Sequence, residues 1–309
     1  MARPRRPAPR YPSHSLWRDC TPRLNTPARR AAADAQDHAR EPVVTTPASL
    51  RAAPAVSVVV PAFNEEHGLA ASLHAIRGAM SAFAARGWRT ELIVCDNNST
   101  DRTAAVAAAA GARVVFEPIN QISRARNTWA AHATGEWLIF VDADSHPSQA
   151  LFFDVADAIE SGTLLAAGST IRMAAAHPGV RVGVGLWNLT SRLTRWAAGS
   201  FIVCDRAAFV SLGGFSLDLF AAEELDLFRR LKRVARRSGQ RIVILRRHPL
   251  LTSDRKMRLY SWREMLGFNL RTILSRGRPL RSARDAFIWY DGRREPPPPR
   301  QLPPDTGPH

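Results

Sequence analysis

The chain has 309 residues, 45% of them hydrophobic, and a formal charge of +16. That is enough apolar material for a sizeable core, in one large domain or two smaller ones, yet no apolar run approaches the ~20 residues that a membrane-spanning helix needs. Three widely spaced cysteines, Cys20, Cys95 and Cys204, with no CxxC pair among them, suggest neither a disulfide framework nor a zinc site.

The charge is unevenly spread. Residues 1–55 carry +6, residues 56–228 carry −5 and residues 229–309 carry +15. Basic ends attract anionic partners such as phosphorylated substrates, acidic membrane surfaces or nucleic acid. Residues 1–54, rich in Pro, Arg, Ala and Thr without apolar periodicity, predict a disordered basic arm. No apolar segment follows the arginines of MARPRR, which argues against a secretory signal and for a protein on the cytoplasmic side, soluble or at the inner membrane surface.

From Val56 onward, short β-branched runs alternate with alanine-rich stretches. VSVVV (56–60) predicts a strand, 65–86 a helix, ELIVC (91–95) a strand, 101–111 a helix, ARVVF (112–116) a strand, 123–135 a helix and WLIFV (137–141) a strand. This alternation implies crossover units and a mostly parallel central sheet flanked by helices on both faces, an α/β architecture over residues 55–247. Further strands are expected at 164–173, 200–204 and 241–245, and a helix at 223–237 with an apolar stripe of Leu225, Phe228 and Leu231. The glycines of 179–187 do not form a dinucleotide fingerprint, and Gly213 and Gly214 suit a helix end and turn. A basic helical extension is expected over 248–294, followed by a Pro-rich disordered tail over 295–309. Within the extension, Leu259, Trp262, Leu266, Leu270 and Ile273 recur at near-helical spacing among arginines. Such a stripe either packs back onto the sheet or rests on a membrane surface.

Open parallel sheets bind ligands beyond the carboxyl ends of their strands. That rule gathers PAFNEE, DNNSTD and DADSH, which follow three of the expected strands, into one crevice. In an extended chain Asp142 and Asp144 leave the same face, and two such carboxylates call for a positive charge between them. A hard divalent cation, Mg2+ or Mn2+, arriving with a diphosphate supplies it, because such ions are held by one or two carboxylates plus substrate phosphates. Taken alone, the tripeptide reads more simply as a strand end at Asp142 with Asp144 capping the helix that begins near Ser148.

Five segments in order, VSVVVPAFNEE, IVCDNNSTDRT, ISRARNTWAAHATGEWLIFVDAD, FIVCDRAAFVSLGGF and AAEELDLFRRL, resemble family 2 glycosyltransferases of GT-A fold. The resemblance spans roughly residues 56–245. It implies a Rossmann-like sheet, a UDP- or GDP-linked sugar donor, a divalent metal and inverting transfer to an acceptor hydroxyl, for which a lipid-linked or envelope glycan is one candidate class. It implies that Pro61, Ala62, Asn64 and Glu65 line the nucleoside pocket, that Asp96 binds base or ribose, and that Asp142 and Asp144 hold nucleotide and metal. It also implies a general base at Glu224, with Glu223 and Asp226 as alternatives in the same EELD segment. Arg126 and Arg124 precede the DxD strand where they could meet phosphates, and His248, Arg255, Lys256 and Arg258 follow the last expected strand in a basic loop suited to closing over a diphosphate.

The competing reading is a non-catalytic polyanion-binding protein acting through its Arg-rich ends. Against it stands the acidic character of the central region. A nucleotidyltransferase would want a glycine-rich basic loop after the first strand, and PAFNEE is acidic.

Overall fold

The computed structural model describes residues 55–173, 178–255 and most positions between 259 and 290. The expected N-terminal arm and Pro-rich tail lie outside the described residues, as do Trp262, Leu266 and Ile273 of the amphipathic stripe.

Strands follow the β-branched runs. They are β1 (Ala55–Ala62), β2 (Arg89–Asp96), β3 (Arg113–Phe116), β4 (Trp137–Val141), β5 (Ser145–His146), β6 (Leu164–Met173), β7 (Phe201–Asp205) and β8 (Arg241–Thr252), joined in one sheet in the order β3-β2-β1-β4-β7-β6-β8-β5. β3, β2, β1 and β4 are mutually parallel, and β7 runs antiparallel between β4 and β6. Alternate residues of the central strands feed opposite cores. Val58, Val60, Ile139 and Val141 pack with Leu73, Phe83 and Phe152 on one face, whereas Val59, Leu138 and Phe140 pack with Trp129, Phe209 and Phe228 on the other. Coverage on both faces explains why these strands read as continuous apolar runs rather than as alternating ones.

Helices α1 (Leu69–Ala84), α2 (Thr103–Ala109), α3 (Ile122–His132), α4 (Gln149–Glu160), α5 (Pro178–Thr194), α6 (Arg206–Ser211) and α7 (Glu223–Ser238) fill the connections. α1 starts four residues later than expected, because Glu65 and Glu66 are held in the preceding loop: Thr103 Oγ1 accepts from the Glu65 amide at 2.8 Å and Asp101 from the Glu66 amide at 3.1 Å. α4 is capped by Ser148, whose Oγ accepts from the Leu151 amide at 3.1 Å, so Asp144 is not spent as its cap. The buried face of α7 is Leu227, Phe228 and Leu231, and Leu225 is only half-buried. The expected stripe was therefore misplaced by one side chain.

Two elements run against the sequence expectation. β8 continues seven residues past 245 through HPLLT, since register shifts in its pairing with β6 absorb the irregularity and its end pairs with β5 at Ser145 and His146. His248 is thus a strand residue bonded to Asp154 at 3.0 Å, not part of a loop. Residues 178–194, unassigned from sequence because of Gly179, Gly183 and Gly185, form the 17-residue helix α5.

Candidate functional site

The register of the parallel strands carries the site. Ala62 at the end of β1 stands opposite Asp96 at the end of β2, and Val59 opposite Phe140 one residue before the end of β4. The loops leaving β1, β2 and β4 therefore emerge at one edge. They are stitched together by their own side chains. Asn64, in the left-handed region with φ 52°, accepts at Oδ1 from the Thr100 amide at 2.8 Å, and its own amide donates to Ser99 Oγ at 3.0 Å. Asp96 is buried and accepts from the Ser99 amide at 2.9 Å. Pro61 is half-buried, while the Ala62 side chain belongs to the core and its carbonyl takes the Asn97 amide at 2.8 Å, so Ala62 offers the crevice backbone rather than side chain.

β4 stops at Val141, and Asp142 to Ser145 form a turn closed by the Ser145 amide on the Asp142 carbonyl at 3.0 Å. The extended geometry assumed for the DxD tripeptide is therefore replaced by a turn, with Ala143 directed into the core and both carboxylates half-exposed. Each carboxylate meets its own cation. Arg126 Nη2 donates to Asp142 Oδ1 at 2.9 Å; Arg255 Nη2 lies 3.6 Å from Asp144 Oδ2 and its guanidinium grips Glu65 with two bonds of 2.6 Å. The like charges that posed the question in sequence are compensated by two arginines from distant parts of the chain. Arg255 reaches Asp144 because β8 delivers it: the Ser253 amide bonds the Asp144 carbonyl at 3.2 Å. Glu65 and Asp144 thus share one guanidinium, with no element between them.

Arg126 is 2% exposed and connects three elements. From α3 it donates to Asp142 after β4, to Glu223 Oε1 at 2.8 Å on α7, and to the Gly199 carbonyl at 2.8 Å before β7. Burial opposes its charge, yet Asp142, Glu223 and Glu224 together raise its pKa further. Arg124, which the sequence did not separate from it, is half-buried and has no side-chain partner among the described residues.

The three acids that begin α7 divide by partner. Glu223 is 4% exposed and committed to Arg126; Asp226 is committed to Arg229 at 2.9 Å and Arg230 at 2.7 Å. Glu224 has no hydrogen bond to another side chain among the described residues, and its carboxyl lies beside Gly199, where an added Cβ would stand 3.5 Å from Glu224 Cδ. Burial, reinforced by the neighbouring Glu223 carboxylate, pushes the pKa of Glu224 up to about 8 against the pull of Arg126. Of the three, Glu223 and Asp226 are held by arginines and Glu224 is not.

Two contributors had little signal in the sequence. Gly199 supplies the carbonyl that Arg126 holds and the room that Glu224 occupies. Asn127 grips the 214–215 turn, with its Nδ2 on the Phe215 carbonyl and its Oδ1 on the Phe215 amide, both at 2.8 Å. Gly214, at φ 71°, is required there twice over, since a Cβ would also run into Asn127 Oδ1.

The sequence model of glycosyl transferase family 2 matches residues 57–201. Uncharacterized glycosyltransferases of Mycobacterium bovis and Mycobacterium tuberculosis are each 35% identical over 177 residues, covering 53% of this chain and 77% of theirs. The chain belongs to glycosyl transferase family 2. Among solved structures, the mannosyltransferase PcManGT of Pyrobaculum calidifontis, in complex with GDP-Man and Mn2+, superposes with a TM-score of 0.56 at 22% identity, over 72% of this chain and 64% of that one. S. aureus TarS residues 1–349, in complex with UDP-GlcNAc, gives 0.52 at 18% identity, over 76% and 70%. At such identities the likeness is one of fold, and the fold is GT-A. The chain thus spans just under two thirds of the mannosyltransferase.

Proposed function

We propose that this family member is an inverting glycosyltransferase that moves a sugar from a nucleoside-diphosphate sugar to an acceptor hydroxyl with the help of a divalent metal. The observation that carries the reading is the Arg126 hub, which binds the carboxylate after β4 to the acidic start of α7 and leaves Glu224 beside it with a raised pKa. A basic carboxylate next to a diphosphate site is what removal of a proton from an acceptor hydroxyl requires.

The residues fit a hard cation. Asp142 and Asp144 offer carboxylate oxygens, and a cationic group, the Arg255 guanidinium, already sits against Asp144. Among the described residues no group of three or more His, Cys, Asp or Glu could hold a metal by itself, so oxygens of the donor's phosphates would complete the shell. Asp142 and Asp144 would hold Mn2+ or Mg2+, which supplies neutralisation of the charge growing on the departing diphosphate.

The chain's own groups do the rest. Pro61, the Ala62 backbone, Asn64 and Glu65 line the nucleoside side, and Asp96 offers its second oxygen to base or ribose. Arg126 orients Asp142 by a fixed guanidinium bond. Glu224 accepts the acceptor's proton from α7, an element separate from the turn that carries Asp142 and Asp144, and direct attack by the hydroxyl so activated gives inversion. The mannosyltransferase and TarS structures, with GDP-Man and UDP-GlcNAc, support the choice of donor class.

The test pairs binding with chemistry. UDP- and GDP-sugars are screened by thermal shift with and without Mn2+, because a ligand of the folded state raises apparent stability by mass action. Asp144→Asn should keep the wild-type melting temperature without ligand, lose the metal-dependent shift and lose donor turnover. Full turnover in that variant overturns the metal assignment.

A further inference from the structure

An amphipathic helix on a globular protein normally turns its apolar stripe inward. Helix α5 carries a second apolar stripe outward. Val182, Leu186, Leu189 and Leu193 recur at intervals of four, three and four residues, which places them along one face, and they are 74%, 65%, 50% and 76% exposed. The face turned toward the protein is mixed, with Val184 and Trp187 half-buried beside polar groups that bond the body of the domain. Asn188 bonds both the amide and the carbonyl of Ile171 in β6 at 2.9 Å, and Ser191, fully buried, donates to the Trp196 carbonyl at 2.6 Å. Around the stripe the surface is open, since a Cβ at Gly183 or Gly185 would meet nothing within 4 Å. Four large apolar side chains in line exceed the scattered single exposures of an ordinary surface.

Charge decides what covers them. Between Glu160 and Asp205 the sequence contains no acidic residue and four arginines, Arg172, Arg181, Arg192 and Arg195, although residues 56–228 as a whole are acidic. Arg181 and Arg192 are exposed and lie on one flank of the apolar stripe by helical spacing. Two copies meeting through α5 would bring like charges together at both ends of the contact with no carboxylate on either helix to offset them. An anionic lipid surface meets the same pattern favourably, with leucines entering the acyl boundary and arginines reaching the headgroup phosphates.

We propose that the outward face of α5 is a docking surface for an anionic lipid bilayer. It rests on α5 alone and is independent of the chemistry assigned to the crevice. Its position bears on that chemistry, because α5 ends five residues before Gly199, whose carbonyl Arg126 holds. A bilayer bound here lies close along the chain to the wall of the site.

The experiment is flotation of the full chain with phosphatidylcholine vesicles, with and without phosphatidylglycerol, with sedimentation of the free protein alongside. Wild type is expected to rise with the phosphatidylglycerol vesicles only. Leu186→Asp combined with Leu193→Asp should reduce the bound fraction about tenfold or more, as expected when buried apolar area contributes as much as charge, with melting temperature and monomeric mass unchanged. If the aspartates disturb folding, Leu186→Ser with Leu193→Ser gives the same reading. Flotation of the leucine variants equal to wild type would assign lipid binding to the basic ends and overturn the proposal. So would absence of wild-type flotation, or a wild-type dimer that the leucine variants split, which would make a second copy the occupant.

Discussion

Replacing Arg126 with methionine keeps the length of the side chain and removes its charge. The structure sets the size of the effect. The Arg126 side chain is 3% exposed and the Glu223 side chain 6%, so the change strands a buried carboxylate, with Asp142 and Glu224 close by and no other cation hydrogen-bonded to Asp142 or Glu223 among the described residues. Breaking a buried ion pair from one side costs about 3–5 kcal/mol, and for a domain of this size that is a fall of roughly 10 °C in melting temperature. The pH dependence identifies the cause. Crowded carboxylates relieve their repulsion by keeping protons, so the folded variant binds more protons than its unfolded chain and its stability falls as pH rises. The deficit against wild type should therefore be largest near pH 8 and shrink toward pH 5, measured by urea melts at both. A deficit below about 1 kcal/mol, the range of an exposed pair, or one equal at the two pH values, would refute the reading of Arg126 as the charge hub.

Glu224→Gln should retain donor-induced thermal shifts and lose about 10²- to 10⁴-fold in transfer rate, the usual contribution of a positioned base. In wild type the rate should rise with pH as Glu224 deprotonates through about 8, and the glutamine variant should be flat over that range, read from initial rates at saturating donor. Arg255→Ala removes the guanidinium that Glu65 and Asp144 share. Mn2+ binding in the absence of donor should then strengthen, because one tethered cation fewer competes for Asp144; calorimetric titration checks it, and weaker binding would show that Arg255 preorganises the site instead.

The alternation of β-branched and alanine-rich runs was enough to place β1 through β4, because strands covered on both faces must be apolar throughout and the intervening helices announce themselves by composition. The order of the polar segments then followed, since parallel strands put their carboxyl ends on one edge. The same local logic failed at 178–194, where glycines hide a helix whose stripe faces outward, and at 246–252, where a strand persists because β5 and β6 pair with it on both sides.

What no local pattern could decide was the pairing of charges. The run EELD offers three acids to a reader of the sequence; helical spacing alone pairs Asp226 with Arg229 and Arg230, but only the meeting of α3 with α7 commits Glu223 to Arg126 and leaves Glu224 with a raised pKa. Asp142 and Asp144 look like one doublet, but the fold gives the first a cation sixteen residues upstream and the second a cation more than a hundred residues downstream. Periodicity and composition act over a few residues, so the sequence by itself determined β1 through β4 and the edge where their loops gather. Electrostatic partnership across elements depends on distance in space, and the tertiary structure decided that Glu223 is held by Arg126 while Glu224 is not.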